Sequence, residues 1–142
     1  RRVSSDLVAA SRLIYSGIME RHPNLKVYMS HTGGVLPYQS GRMDKSFSKG
    51  VKLPNPTSTY IKRMMTDTVS PHTPGMKFAV EYYGVDHVFY GADYPCWNPS
   101  TAIQLFDAVG LSKVDQQKIF FDNAQRFFGL RDHALSKVTS AA

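Results

Sequence analysis

The chain has 142 residues, 42% of them apolar and 12% aromatic, enough for one packed domain and too much for a disordered chain. No apolar run approaches the roughly 20 residues that cross a bilayer, and the opening Arg-Arg-Val-Ser-Ser-Asp has no apolar stretch behind it, so neither a membrane span nor a signal peptide is expected. Seventeen Lys and Arg against eleven Asp and Glu give a formal charge of +6, scattered without a basic tail. A solvated basic surface that attracts small anions is therefore preferred to nucleic-acid binding.

Ser5 to Arg21 places Leu7, Val8, Leu13, Ile14, Ile18 and Met19 at helical spacing, and predicts an amphipathic helix stopped by His22-Pro23-Asn24. Leu25 to Ser30 alternates apolar and polar residues and predicts a strand running into a sharp turn, His31-Thr32-Gly33-Gly34. Val35 to Lys49 predicts a helix with Pro37 near its first turn. After the loop Leu53-Pro54-Asn55-Pro56, Ser58 to Arg63 predicts a short helix with Thr57 as its cap. Met64 to Ser70 predicts a second strand, and Thr73 to Tyr83 a helix closed by Gly84. His87 to Ala92 predicts a third strand, with Asp93-Tyr94-Pro95 as the turn after it. Asn98 or Ser100 caps a helix to Val109, and Ser112 caps another from Lys113 to Phe128, ended by Gly129.

Strands alternating with helices across short turns predict an α/β fold with parallel strands. Three such strands do not close a barrel, and a (β/α)8 barrel takes about 250 residues. The expectation is the C-terminal portion of such a barrel over residues 1–130, with 131–142 as a tail. The sequence opens on Arg1 rather than Met, and the first half of the barrel is expected to be missing or supplied by another chain. A small doubly wound domain would give a similar string.

Functional groups in parallel α/β folds gather at the C-terminal ends of strands. Two such ends carry chemistry here, Ser30-His31-Thr32-Gly33-Gly34 and Gly91-Ala92-Asp93-Tyr94-Pro95. An imidazole exchanges a proton near neutral pH, and a carboxylate binds a divalent cation. Each residue alone has a plain structural alternative: a turn histidine, and an aspartate bonded to its own backbone. The single cysteine, Cys96, forms no internal disulfide, which fits a cytoplasmic setting, and has no evident activating partner for a nucleophile. Asp67 and Thr68 are read as structural, His22, His72, His87 and His133 as surface residues, and Asn123 as a tie between a helix and a loop.

In combination, Ser16 to Asp44 (SGIMERHPNLKVYMSHTGGVLPYQSGRMD), Met64 to Ser70 (MMTDTVS), Val85 to Pro95 (VDHVFYGADYP) and Phe120 to Leu130 (FFDNAQRFFGL) resemble, in order, segments of the amidohydrolase-related family that includes the aminocarboxymuconate-semialdehyde decarboxylases. The resemblance implies a metal-dependent decarboxylase acting on a small carboxylated substrate, aromatic or muconate-like. Lactone or amide hydrolysis, or an inert half-barrel, is the alternative. It implies His31 as general acid/base and Asp93 as a metal ligand that also handles protons, with zinc the usual metal. It further implies Arg42, eleven residues after His31, as a substrate-carboxylate ligand reaching across a homodimer interface, with an exposed helix residue as the equal alternative, and Trp97 beside the substrate. Where the family places an aromatic after Asp-Tyr-Pro, this chain has Cys96. The family's first-strand pair, His-x-His or Glu-x-His, and its fifth-strand histidine are read as absent, leaving Asp93 as the one member of the metal set.

Overall fold

The computed structural model describes residues 2–45 and 52–130. Three extended segments lie side by side and parallel, in chain order. Tyr28 makes a single bridge to Met65, and β1 (Thr66–Asp67) pairs with β2 (Val88–Phe89) in the register Thr66 to Val88 and Asp67 to Phe89. The three predicted strands are thus present in position and direction but much shorter than their sequence patterns. Flanking bonds lengthen the ladder slightly: Met65 N to Val27 O and Met29 N to Met65 O on one side, Thr68 N to Phe89 O on the other.

One face of this layer packs on helices. Thr66 and Val88 are fully buried there, and Val88 shares one core with Ile14 of α1 (Arg2–Tyr15), Leu36 of α3 (Leu36–Lys45) and Met76 of α5 (Thr73–Tyr83). Phe106 of α6 (Pro99–Asp107) closes the same core. Side chains alternate across a strand, so Tyr28, Asp67 and Phe89 share the opposite face. Phe127 and Phe128 cover part of it, with ring centroids 5.4 and 5.9 Å from Phe89.

The long first helix divides. Gly17, at φ 73°, ends one helix and starts the one-turn α2 (Ile18–Arg21). The left-handed conformation is one that glycine adopts without steric cost. Thr57 is the first residue of α4 (Thr57–Ile61) rather than its cap, because Pro56 holds that position. Asn98 is the cap of α6, accepting from Ser100 N at 2.9 Å, and Ser112 caps α7 (Lys113–Gln117) through Asp115 N at 3.1 Å. The predicted final helix is continuous but passes through a π-helical turn, Lys118–Asp122, before α8 (Asn123–Phe128). Gly129, at φ 66°, ends it. Residues 46–49 of the third predicted helix, and the tail with His133, lie outside the described residues.

Candidate active site

The C-terminal ends of the three extended segments meet at one rim. His31, Thr32, Gly33 and Gly34 follow Ser30 with φ of 57°, 56°, 75° and 59°. Four successive residues with positive φ reverse the chain abruptly, and two of them are not glycine. Such residues cost about 1–3 kcal/mol each and persist where the surroundings fix them. Here the buried carboxylate of Asp67 fixes them. Its Oδ2 accepts from the His31 amide at 3.2 Å, and its Oδ1 from the amides of Thr32 at 3.0 Å and Val69 at 2.9 Å. The Tyr28 hydroxyl donates to Oδ2 as well. Burial, then that bond, pushes the Tyr28 phenol well above its usual range. A charge buried this deeply needs such a set of donors.

Asp93 is also left-handed, at φ 56°, and its carbonyl accepts from Cys96 N at 2.8 Å and Trp97 N at 3.3 Å, across the cis Tyr94-Pro95 bond. The tight turn aims the Asp93 side chain back over the strand end. Its Oδ2 lies 4.0 Å from His31 Nε2. The other ring nitrogen of His31, Nδ1, is 3.0 Å from Ser30 Oγ and 3.7 Å from Asp6 Oδ2. An imidazole thus stands between two carboxylates, each ring nitrogen facing one.

His31, Thr32, Val69, Ser70, Asp93 and Trp97 line a cleft of about 410 Å³, within the range that holds a small-molecule ligand. A second cleft of about 210 Å³ shares Val69, Ser70, Pro71 and Trp97 with it and has Cys96 in its wall. The sequence-predicted residues His31, Asp93 and Trp97 therefore come together. Arg42 does not line this cleft: it lies exposed on α3, one turn from Tyr38, which is 78% exposed.

Asp6 carries no motif, and nothing in the sequence pointed to it. Asp67 was legible as structural, and its role in shaping the turn after Ser30 had one signal: an acidic residue inside an otherwise buried strand demands several donors. His87 is half-buried, not a surface residue, and its Nδ1 lies 3.2 Å from Met64 O. Asn123 is fully buried and donates to Val85 O at 2.7 Å and Val88 O at 2.8 Å, tying helix to loop as expected.

Among the described residues, no group of three or more His, Cys, Asp or Glu side chains is placed to hold a metal ion. One Glu-x-His does occur, correcting the expectation of none: Glu20-Arg21-His22. It closes α2, where Glu20 accepts from the Tyr60 hydroxyl at 2.7 Å and His22 is exposed, so it contributes no metal pair to the cleft. The described residues do not make a complete metal centre.

The sequence profile of the Amidohydrolase family matches residues 4–130. The chain belongs to this family. It is 32% identical over 132 residues to the gamma-resorcylate decarboxylase of Rhizobium sp., covering 87% of this chain and 40% of that protein. It is 30% identical over 130 residues to the 2-amino-3-carboxymuconate-6-semialdehyde decarboxylase of Dictyostelium discoideum, with 87% and 36% covered. The dihydroxybenzoic acid decarboxylase of Polaromonas sp. JS666, crystallised with manganese and the inhibitor 2-nitroresorcinol, superposes with a TM-score of 0.78 at 28% identity, over 87% of this chain and 39% of the other. The chain spans about 40% of the length of these relatives.

Proposed function

We propose that this chain forms part of a (β/α)8-barrel carboxy-lyase acting on a small carboxylated substrate, of the dihydroxybenzoate or carboxymuconate kind. One observation carries the reading: His31 Nε2 and the Asp93 carboxylate stand 4.0 Å apart at one cleft, on two strand ends held in left-handed turns. The half-covered sheet face bearing Tyr28 and Phe89 also supports a barrel to which other strands contribute, since parallel sheets are covered on both faces.

In the reaction, a proton is delivered to the ring carbon that bears the carboxylate. The bond between that carbon and the carboxyl group then breaks, its electron pair returns to the ring, and carbon dioxide leaves. His31 is placed to move the proton through Nε2, with Asp93 beside it as the second proton-handling group. Val69, Ser70 and Trp97 bound the space for the substrate. Arg42, with Tyr38 one turn away on the same exposed face of α3, suits capture of a carboxylate across a homodimer interface. A divalent metal belongs to the proposal, manganese or zinc, with Asp93 as the single ligand this chain supplies and the others coming from elsewhere in the barrel. The lone thiol fits a cytoplasmic enzyme.

A second reading follows from the incomplete metal set: the isolated chain is inert until combined with a polypeptide supplying the remaining strands. Both are tested together. Disappearance of 2,6-dihydroxybenzoate is followed with manganese or zinc, using the chain alone and the chain combined with the missing strands. Carbon dioxide release by the combination alone is the expected result. No turnover of any hydroxybenzoate or muconate carboxylate by the assembled protein would overturn the assignment.

A further inference from the structure

A second cleft opens beside the one that holds His31 and Asp93. The two share Val69, Ser70, Pro71 and Trp97, so one wall serves both and a single ligand can lie across it. Beyond that wall the second cleft runs between the strand end at Gly91 and Ala92 and the residues Ala102 and Leu105 of α6. Its sides are fixed. A Cβ at Gly91 would come within 2.8 Å of Val69 Cγ2, so the glycine lets Val69 seat against the strand backbone. Thr73 Oγ1 donates to Leu105 O at 3.1 Å and ties α6 to the start of α5. A preformed cleft spends little on ordering when a ligand enters.

The chemistry of this cleft is unlike its neighbour's. Among the described residues, no Asp, Glu, His, Lys or Arg lines it. Thr68, Ser70 and Asn98 bring oxygens to its wall, and each already bonds the chain's own backbone. Thr68 Oγ1 accepts from Gly91 N at 3.1 Å, Ser70 Oγ donates to His72 O at 3.4 Å, and Asn98 Oδ1 accepts from Ser100 N at 2.9 Å. What remains for a ligand to meet is mainly carbon, from Val69, Ala92, Trp97, Ala102 and Leu105. A polar group entering there would give up water for few new partners, whereas an apolar group gains by leaving water. The volume of about 210 Å³ is ample for a short alkyl group, since an apolar cavity of about 150 Å³ holds a benzene ring.

We propose that the second cleft takes an apolar ring substituent of the substrate, a short alkyl chain, while the carboxylate end lies at His31 and Asp93. The substrate class is thereby narrowed to alkyl-bearing aromatic carboxylates. The inference deepens the decarboxylase reading and rests on it for the other end of the substrate. The apolar preference of the cleft does not require that reading.

The test compares dissociation constants, by equilibrium dialysis against the full chain, for 2,6-dihydroxybenzoate and derivatives carrying methyl, ethyl or propyl at ring position 3 or 4. In one of the two series, affinity is expected to rise about fourfold with each carbon, the ratio that burial of a methylene gives. Ala102→Leu puts a larger side chain into the cleft and should abolish the advantage of propyl over the parent compound. Cys96, the chain's one cysteine, offers a block that leaves the sequence intact. Methyl methanethiosulfonate attaches a methylthio group at that wall and should reduce the same advantage, and bound propyl compound should slow the attachment. Unchanged far-ultraviolet dichroism shows that Ala102→Leu folds; should it unfold, the Cys96 modification decides. Failure of every compound to bind, equal affinity along both series, or an alkyl gain that survives both blocks overturns the inference. Decarboxylation of 2,6-dihydroxybenzoate by the assembled protein without any alkyl preference would sink this inference and leave the proposed function standing. An alkyl preference in a protein that decarboxylates nothing would keep the cleft's assignment as an apolar site and sink the proposed function instead.

Discussion

At the scale of single residues, the site divides into groups that face the cleft and groups that hold them there. His31 and Asp93 face it. On the proposed reading, His31→Gln and Asp93→Asn in the assembled protein each remove a proton-handling group while keeping most of the side-chain volume, and each is expected to reduce turnover by at least about 100-fold. Substrate consumption in the steady state measures this, and thermal melting checks that the fold is retained. Near-wild-type turnover in either variant would dismiss the assigned role. Asp67 works from behind. Its carboxylate satisfies three backbone amides and the Tyr28 hydroxyl, so Asp67→Ala leaves buried donors unpaired beside a strained turn. The expected cost is about 3 kcal/mol or more, read from the urea midpoint. Tyr28 adds a pH dependence with a definite sign. Its phenol is raised by burial and by Asp67, so the folded state holds that proton more tightly than the unfolded chain. The resulting stability is complete below the ordinary phenol value of about 10 and is lost as pH rises beyond it. Tyr28→Phe should lessen the alkaline fall in stability without abolishing it, because burial raises the Tyr83 phenol in the same direction.

At the scale of elements, the reversal after Ser30 depends on Gly33. A Cβ at that position would lie 2.2 Å from the Tyr83 hydroxyl oxygen and 2.9 Å from its ring carbon, and φ is 75°. Tyr83 is itself buried in the core, so the ring has little room to withdraw. Gly33→Ala is therefore expected to destabilise by about 2 kcal/mol or more, from backbone strain and overpacking together. It should also displace His31, seen as loss of activity in molecules that remain folded. A melting temperature equal to wild type would show that Tyr83 yields after all. The sequence made this turn legible because Gly-Gly after a strand demands a tight reversal. It equally marked α5, where Pro74 and Gly84 punctuate both ends, and it offered Asn98 or Ser100 as one cap, of which the structure uses Asn98, and Ser112 as the other. What it concealed is instructive. Gly17 lies inside an unbroken apolar periodicity, which carries no sign of a left-handed break. Strand lengths were overstated because alternation continues through residues that never find a partner across the sheet. The π-helical turn keeps helical spacing closely enough to escape a pattern reading. Asp6 was invisible because its meaning comes from a helix folding back over a turn 25 residues later.

At the scale of the whole molecule, the two faces of the sheet have unequal cover. One is sealed by α1, α3, α5 and α6, while the other bears a chain of rings, Tyr28 to Phe89 to Phe128, with Tyr28 45% and Phe128 63% exposed. Among the described residues, the extended segments at both sides of the layer also leave an edge without a strand partner. Exposed rings beside open edges favour association. The isolated chain should therefore self-associate with rising concentration, and sedimentation velocity should resolve the heavier species. Phe128→Glu, which places a charge on the ring patch and leaves the sealed core intact, should shift the population toward monomer by several-fold. Combination with the polypeptide that supplies the other strands should do so in the wild type, because the same rings are then covered. These two interventions separate the explanations. If Phe128→Glu disperses the chain but the complementary strands do not, the patch is sticky without belonging to a barrel interior. If a concentrated wild-type chain stays monomeric and binds no apolar dye, the face is already satisfied, and the partial-barrel architecture loses its main physical support.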